Sequence, residues 1–162
     1  MKDFSLFEQA LGAVTPQMNL GTISSISRRD FNQCESFVFR CQVPCLEYVC
    51  LMIENALLLK TNRTGRIYAG FEKLSCMQPV IDRYLRIADI SESVYVFGEA
   101  DWQPPRHPNM RLIKLSPDVR LAREWFLIAD SSSFPAALVA VAEDGFDADK
   151  PDERSYRAIL GS

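Results

Sequence analysis

The sequence predicts a layered α/β or α+β single domain, with one mixed sheet, antiparallel pairing among its later strands and one buried central helix. Three observations lead there. Helical periodicity alternates with short β-rich runs through the first half of the chain. Later runs (SVYVFGE, MRLIKLS, EWFLIAD and AALVAVAED) then arrive with no helical stretch between them, which favours antiparallel neighbours. Finally, 162 residues with 48% apolar and 24% charged side chains suffice for one domain with a real core.

Residues 4–14 place Phe4, Phe7, Leu11 and Val14 on one face, with Leu6 and Ala10 beside them, as a short amphipathic helix ended by Thr15-Pro16. LGTISSIS is rich in β-branched residues and reads as a short strand. Ser27 suits the cap of a helix that starts near Arg28 and turns Phe31, Cys34 and Val38 inward. Pro44 opens the next helix, CLEYVCLMIENALLLK, which runs to about Lys60. Leu46, Val49, Cys50, Ile53 and Leu57 share one face of it, while Cys45, Met52, Leu58 and Leu59 make most of the rest apolar. A helix apolar nearly all round predicts packing on more than one side, with Glu47 and Glu54 as its polar edge.

After a turn, RIYAGFEKL is a strand. Ser75, with Gln78 three residues on, is a capping-box pair heading a helix to about Asp89. That helix buries Met77, Val80, Ile81, Tyr84, Leu85 and Ala88 and shows Asp82, Arg83 and Arg86 outward. SVYVFGE and MRLIKLS are strands flanking a proline-rich loop, and EWFLIAD and AALVAVAED form a hairpin through SSSFP. From Asp144 the chain is acidic and polar until RSYRAIL.

Composition narrows the chemistry. A net charge of −3 argues against a generic nucleic-acid binder, which needs a basic face. No apolar run approaches the roughly 20 residues of a membrane span, and Asp3 and Glu8 interrupt any signal-like stretch. The expectation is a cytoplasmic chain with reduced thiols. Cys34, Cys41, Cys45, Cys50 and Cys76 are spaced C-x6-C, C-x3-C and C-x4-C before the last, without the close pairs of structural zinc or a C-x-x-C redox motif. On a helix, Cys45 and Cys50 stand about 140° apart. They read as core-filling thiols, with no metal and no cofactor.

The only histidine, His107, reads as a solvated loop residue. Glu99 and Asp101 follow a strand end, where ligand sites occur, though solvated turn carboxylates are commoner there. Arg63, Arg66, Arg83 and Arg86 suit either an anionic pocket or, preferably, a solvated face. Glycine-rich phosphate loops are absent. Tyr68, Phe71, Tyr84, Tyr95, Phe97, Trp125 and Phe126 are expected mostly in the core.

One ordered succession goes further: GTISSISRRDF, CLEYVCLMIENALLL, YAGFEKLS, a helix with a DRY-like turn, VYVFG with an acidic residue soon after, a prolines-and-Asn loop, EWFLI and AALVAVAED. It resembles the DICT domain over about residues 20–145, leaving 1–19 as N-terminal helix and linker and 146–162 as a tail whose ending is compatible with truncation. The resemblance implies a non-enzymatic cytoplasmic sensory domain of the kind prominent in cyanobacteria. Such a domain relays a signal, suspected to be light-related, to a histidine kinase or to a cyclic-di-GMP cyclase or phosphodiesterase. Positions matching the recurrent pattern are Tyr68, Gly70, Phe71, Arg83, Tyr84, Gly98, Trp125 and Asp130. Phe4, Phe7 and Leu11 form the candidate coupling or homodimer helix, and no nucleic-acid or membrane partner is expected. The alternatives are a small thiol-dependent or ligand-processing enzyme using Cys76 or Cys34 with His107 as base, and a photoreceptor in its own right.

Overall fold

The computed structural model describes residues 2–13, 18–22 (backbone only), 36–60, 65–143 and 154–162. The described strands are β1 (Met18–Thr22), β2 (Ser36–Gln42), β3 (Arg66–Lys73), β4 (Ser93–Glu99), β5 (Met110–Lys114), β6 (Glu124–Asp130), β7 (Ala136–Ala142) and β8 (Ser155–Gly161). They form one mixed sheet in the order β1-β2-β8-β7-β6-β3-β4-β5. Helix α1 (Leu6–Ala13) lies on one face, and α2 (Val43–Leu58) and α3 (Ile81–Ile90) on the other. Two 3-10 segments, Leu74–Val80 and Arg120–Arg123, complete the described elements.

The predicted α/β class is what the fold shows, and so is antiparallel pairing at β6, β7 and β8, whereas SVYVFGE and MRLIKLS pair parallel although no helix lies between them. β6 and β7 form the expected hairpin, and β7 continues antiparallel to β8 and β8 to β2. β3, β4 and β5 are mutually parallel. The return from β3 to β4 runs through α3, as parallel pairing requires. The return from β4 to β5 uses the proline-rich loop instead. Its Asn109 side chain donates to the carbonyls of Ala88 (3.0 Å) and Ser91 (3.4 Å), so the loop meets carbonyls left open at the end of α3.

Strand alternation sorts the core into two layers. Phe37, Phe39, Ile67, Val96, Leu127 and Leu138 face α2 and α3, where Leu46, Val49, Ile53, Leu57 and Ile87 meet them. Val38, Phe126, Val139 and Ile159 face the other way and pack against Phe7 of α1. Fully burying each of these large side chains contributes about 1.5–3 kcal/mol.

Several expectations change. Val38 belongs to β2, so the helix foreseen from Arg28 does not extend through it, while Ser27, Arg28, Phe31 and Cys34 fall outside the described residues. Helix α2 packs on the sheet and on α3 but leaves its outward side uncovered: Tyr48 is 63% and Met52 56% exposed, and Leu59 just beyond its end 84%. Its predicted polar edge holds at Glu47, which is exposed, but not at Glu54, which is 5% exposed. The helix from Ser75 begins as a 3-10 segment with Pro79 inside it and turns α-helical at Ile81. The Ser75–Gln78 capping box is not formed. Asp101 takes that role, accepting from the Ser75 amide (2.9 Å) and hydroxyl (2.5 Å), and these bonds hold its carboxyl below the usual range. RSYRAIL, left in the tail by sequence, supplies β8, an interior strand.

Candidate functional site

A cavity of about 560 Å³ opens between α2, the Leu74–Val80 segment and the floor made by β3, β6 and β8. Its floor is aromatic. The antiparallel register that sets Gly70 opposite Phe126 also sets Phe71 beside Trp125. Phe71 meets Tyr84 edge-on at 5.5 Å, and Trp125 meets Tyr156 edge-on at 6.1 Å. Aromatic pairs in this geometry hold one another in place without filling the space above them.

Glycines make that floor possible. A Cβ on Gly70 would collide with the Phe126 ring, whose Cζ would lie 2.7 Å away. Gly98, expected to permit a turn, sits inside β4; a Cβ there would stand 2.7 Å from the Phe71 carbonyl oxygen. Its absence lets the irregular end of β3, which carries Phe71, approach closely.

One wall is polar and buried. Tyr84 of α3 donates its hydroxyl to Glu54 of α2. Arg83 Nε lies 3.4 Å from Glu54 Oε2 and its NH1 donates to Asn55 Oδ1 at 2.6 Å. Burial raises the Glu54 pKa, and the Tyr84 hydroxyl and Arg83 charge oppose that rise. Burial also raises Tyr84 well above the ordinary phenol range, assisted by the Glu54 charge. Beside this wall the Trp125 indole N–H points at Cys50 Sγ, 3.3 Å away. Burial pushes the Cys50 thiol up to about 12, as it does for Cys41, which has Cys45 beside it. Across the cavity Arg154 pairs with Glu72 at 3.6 Å.

The same strand serves both faces of the sheet. Trp125 faces the cavity, while its neighbour Glu124 caps α1 on the opposite side. Glu124 Oε1 accepts from the Ser5 hydroxyl (2.5 Å) and Oε2 from the amides of Leu6 (2.8 Å) and Phe7 (3.2 Å).

Gly70, Phe71, Arg83, Tyr84 and Trp125 therefore converge on one cavity, as the resemblance does not by itself require. Tyr68 and Asp130 do not join them. They line a shallow depression on the α1 face, where Tyr68 stacks on Tyr95 at 5.1 Å. Arg66 lies on that face, near Glu92, so it shares no pocket with Arg83; Arg63 is outside the described residues. The α1 stripe is largely covered by the chain's own sheet: Phe7 is buried and Leu11 half-buried, leaving Phe4 exposed.

His107, expected in solvent, has a side chain only 14% exposed and contacts Asp89 at 2.9 Å. The ten residues of α3, about 15 Å of helix, stand between that end and the segment carrying Cys76, so a Cys76–His107 pair is not assembled. Cys76 is exposed, Cys45 and Cys50 are half-buried, Cys41 is buried, and these thiols are free; Cys34 is not described. Among the described residues no three His, Cys, Asp or Glu side chains gather as a metal-ligand set, and no described helix is long and apolar enough to cross a membrane.

Sequence reasoning missed Glu54, Glu72, Arg154 and Tyr156 as cavity residues. Only Glu54 carried a signal, as a carboxylate set among apolar neighbours on an otherwise greasy helix.

A roomy cavity with an aromatic floor and a buried polar wall has the size and lining that small ligands occupy. The comparison with family models is specific: DICT, the sensory domain in diguanylate cyclases and two-component systems, matches residues 38–143, and the chain belongs to this family. Neither the curated proteins nor the solved structures contain a match.

Proposed function

We propose that the chain is a non-enzymatic sensory module. It binds a small molecule in the cavity and passes the occupied state by direct contact to an output protein. The observation that carries this is the convergence of Gly70, Phe71, Arg83, Tyr84 and Trp125 around the buried Glu54. Family membership supports the sensory role. The output partner is a histidine kinase or a cyclic-di-GMP cyclase or phosphodiesterase in the cytoplasm, and the input is light-related, as the family resemblance implies. Contact with a protein partner, or with a second copy, finds support in the exposed apolar residues of α2, Tyr48, Met52 and Leu59, rather than in α1.

Native mass spectrometry and absorption spectroscopy of protein purified from its source test this reading. The expected result is a small-molecule adduct that Trp125→Ala abolishes, with visible absorption if the input is light itself. Protein that carries no adduct, and that no small molecule stabilises against heat, would contradict a ligand sensor.

A further inference from the structure

The charges round the cavity restrict what it accepts, given the reading above that it is a ligand site. The carboxylates of Glu47, Glu54 and Glu72 line it against Arg83, Arg123 and Arg154, while that of Glu124 is turned to α1 on the other face. Two of the guanidiniums are held by carboxylates of the same wall, Arg83 by Glu54 and Arg154 by Glu72. A phosphate or carboxylate ligand that reached either guanidinium would lie beside the carboxylate already paired with it, against both repulsion and desolvation. Glu47, by contrast, is exposed and has no ion pair among the described residues.

The floor adds a shape requirement. Phe71 and Trp125 lie side by side on neighbouring strands, each fixed by an aromatic partner roughly perpendicular to it, and both rings line the cavity. An aromatic lining favours flat rings, and the face of an aromatic ring attracts positive charge through its quadrupole. Glu54 already accepts from Tyr84, and a carboxylate has lone pairs for a further donor.

We infer that the cavity takes a planar heteroaromatic ligand, neutral or singly cationic, whose face lies on Phe71 and Trp125 and whose N–H edge donates to Glu54. A ligand carrying an anionic group at that edge is disfavoured, because it would meet the Glu54 carboxylate.

Two probes sharing one tricyclic frame separate the terms: 9-aminoacridine, a flat cation with an N–H edge, and acridine-9-carboxylate, a flat anion. Fluorescence titration is run on the whole chain and on Glu54→Gln, Glu47→Gln and Trp125→Leu, with thermal melts to verify folding. The cation should bind saturably and at least about tenfold more tightly than the anion. Glu54→Gln should narrow that gap to about threefold or less, and Trp125→Leu should weaken both probes. If Glu54→Gln does not fold, Glu47→Gln at the exposed mouth must narrow the gap. An anion bound as tightly as the cation would overturn the ligand class and leave the cavity reading standing. If neither probe saturates or stabilises the fold, the cavity reading itself fails. Equal binding to Trp125→Leu and wild type would place the dyes elsewhere and refute the inference.

Discussion

Replacing Glu124 by leucine removes the acceptor for three donors at the start of α1: the Ser5 hydroxyl and the Leu6 and Phe7 amides. Glu124 and Ser5 are buried, at 4% and 3% exposure, so water replaces the carboxylate poorly. An unsatisfied buried donor costs about 1–3 kcal/mol. The Leu6 amide lies in a partly buried setting, which favours the low end and gives a total of about 3 kcal/mol. For a chain of this size that lowers Tm by roughly 6–12 °C. Glu124→Gln is the control of equal shape. Its amide oxygen accepts both backbone N–H groups and its NH2 donates to the Ser5 oxygen, so it should cost only about 1 kcal/mol. Urea melts of the three proteins, with proteolysis to follow release of α1, read the result. The cap reasoning is refuted if the leucine variant lies within about 0.5 kcal/mol of wild type, or if glutamine costs as much as leucine.

Gly70→Ala forces the Phe126 ring out of its site and should cost about 1–3 kcal/mol; Phe126→Leu in the same chain should recover part of it in a double-mutant cycle. Because burial raises the folded-state pKa of Glu54, the folded chain binds more protons than the unfolded one between the ordinary carboxylate range and that raised value. Glu54 therefore makes stability fall as pH rises through that window, and the pH dependence of the difference between Glu54→Gln and wild type should show it; the opposite slope would refute the assignment. In a Cys34→Ser background near pH 8, exposed Cys76 should react with a disulfide reagent well before Cys50 and Cys41, whose thiols stand near 12. Equal rates would show that the cavity wall opens readily.

The elements easiest to read from sequence were those whose local period matched their burial. Ile67 and Ala69 of β3, Val94 and Val96 of β4, and Leu46, Val49, Ile53 and Leu57 of α2 all face the core as their spacing implies. Non-local pairing was not legible. SYRAILG becomes an interior strand only because β2 and β7 leave a place between them, and nothing within the segment announces neighbours so far away in sequence. Asp101 in place of Gln78 at Ser75 is a loss of the same kind, since a loop following β4 supplies the cap. The cavity was half legible. Positions recurring in the family pattern supplied its aromatic floor, but Glu54, Glu72 and Arg154 gain meaning only once α2, β3 and the start of β8 meet.

The inversion of α2 ties these parts together. Physical expectation places carboxylates outward and large apolar groups inward, and α2 does the reverse at Glu54 and at Tyr48 and Met52. Burying Glu54 is costly unless its lone pairs are used, and Tyr84 and Arg83 use them only in part. Exposing Tyr48 and Met52 forgoes burial that a partner surface would restore. Both departures lie on one helical rod, on opposite sides about 120° apart between residues 48 and 54. On the ligand-sensing proposal, a group that pulls on Glu54 would also shift the outward stripe, because a helix of sixteen residues moves as a unit. A helix whose sequence satisfied only its own core would carry neither departure, and the sensory reading proposed above gives each of them a role on one element.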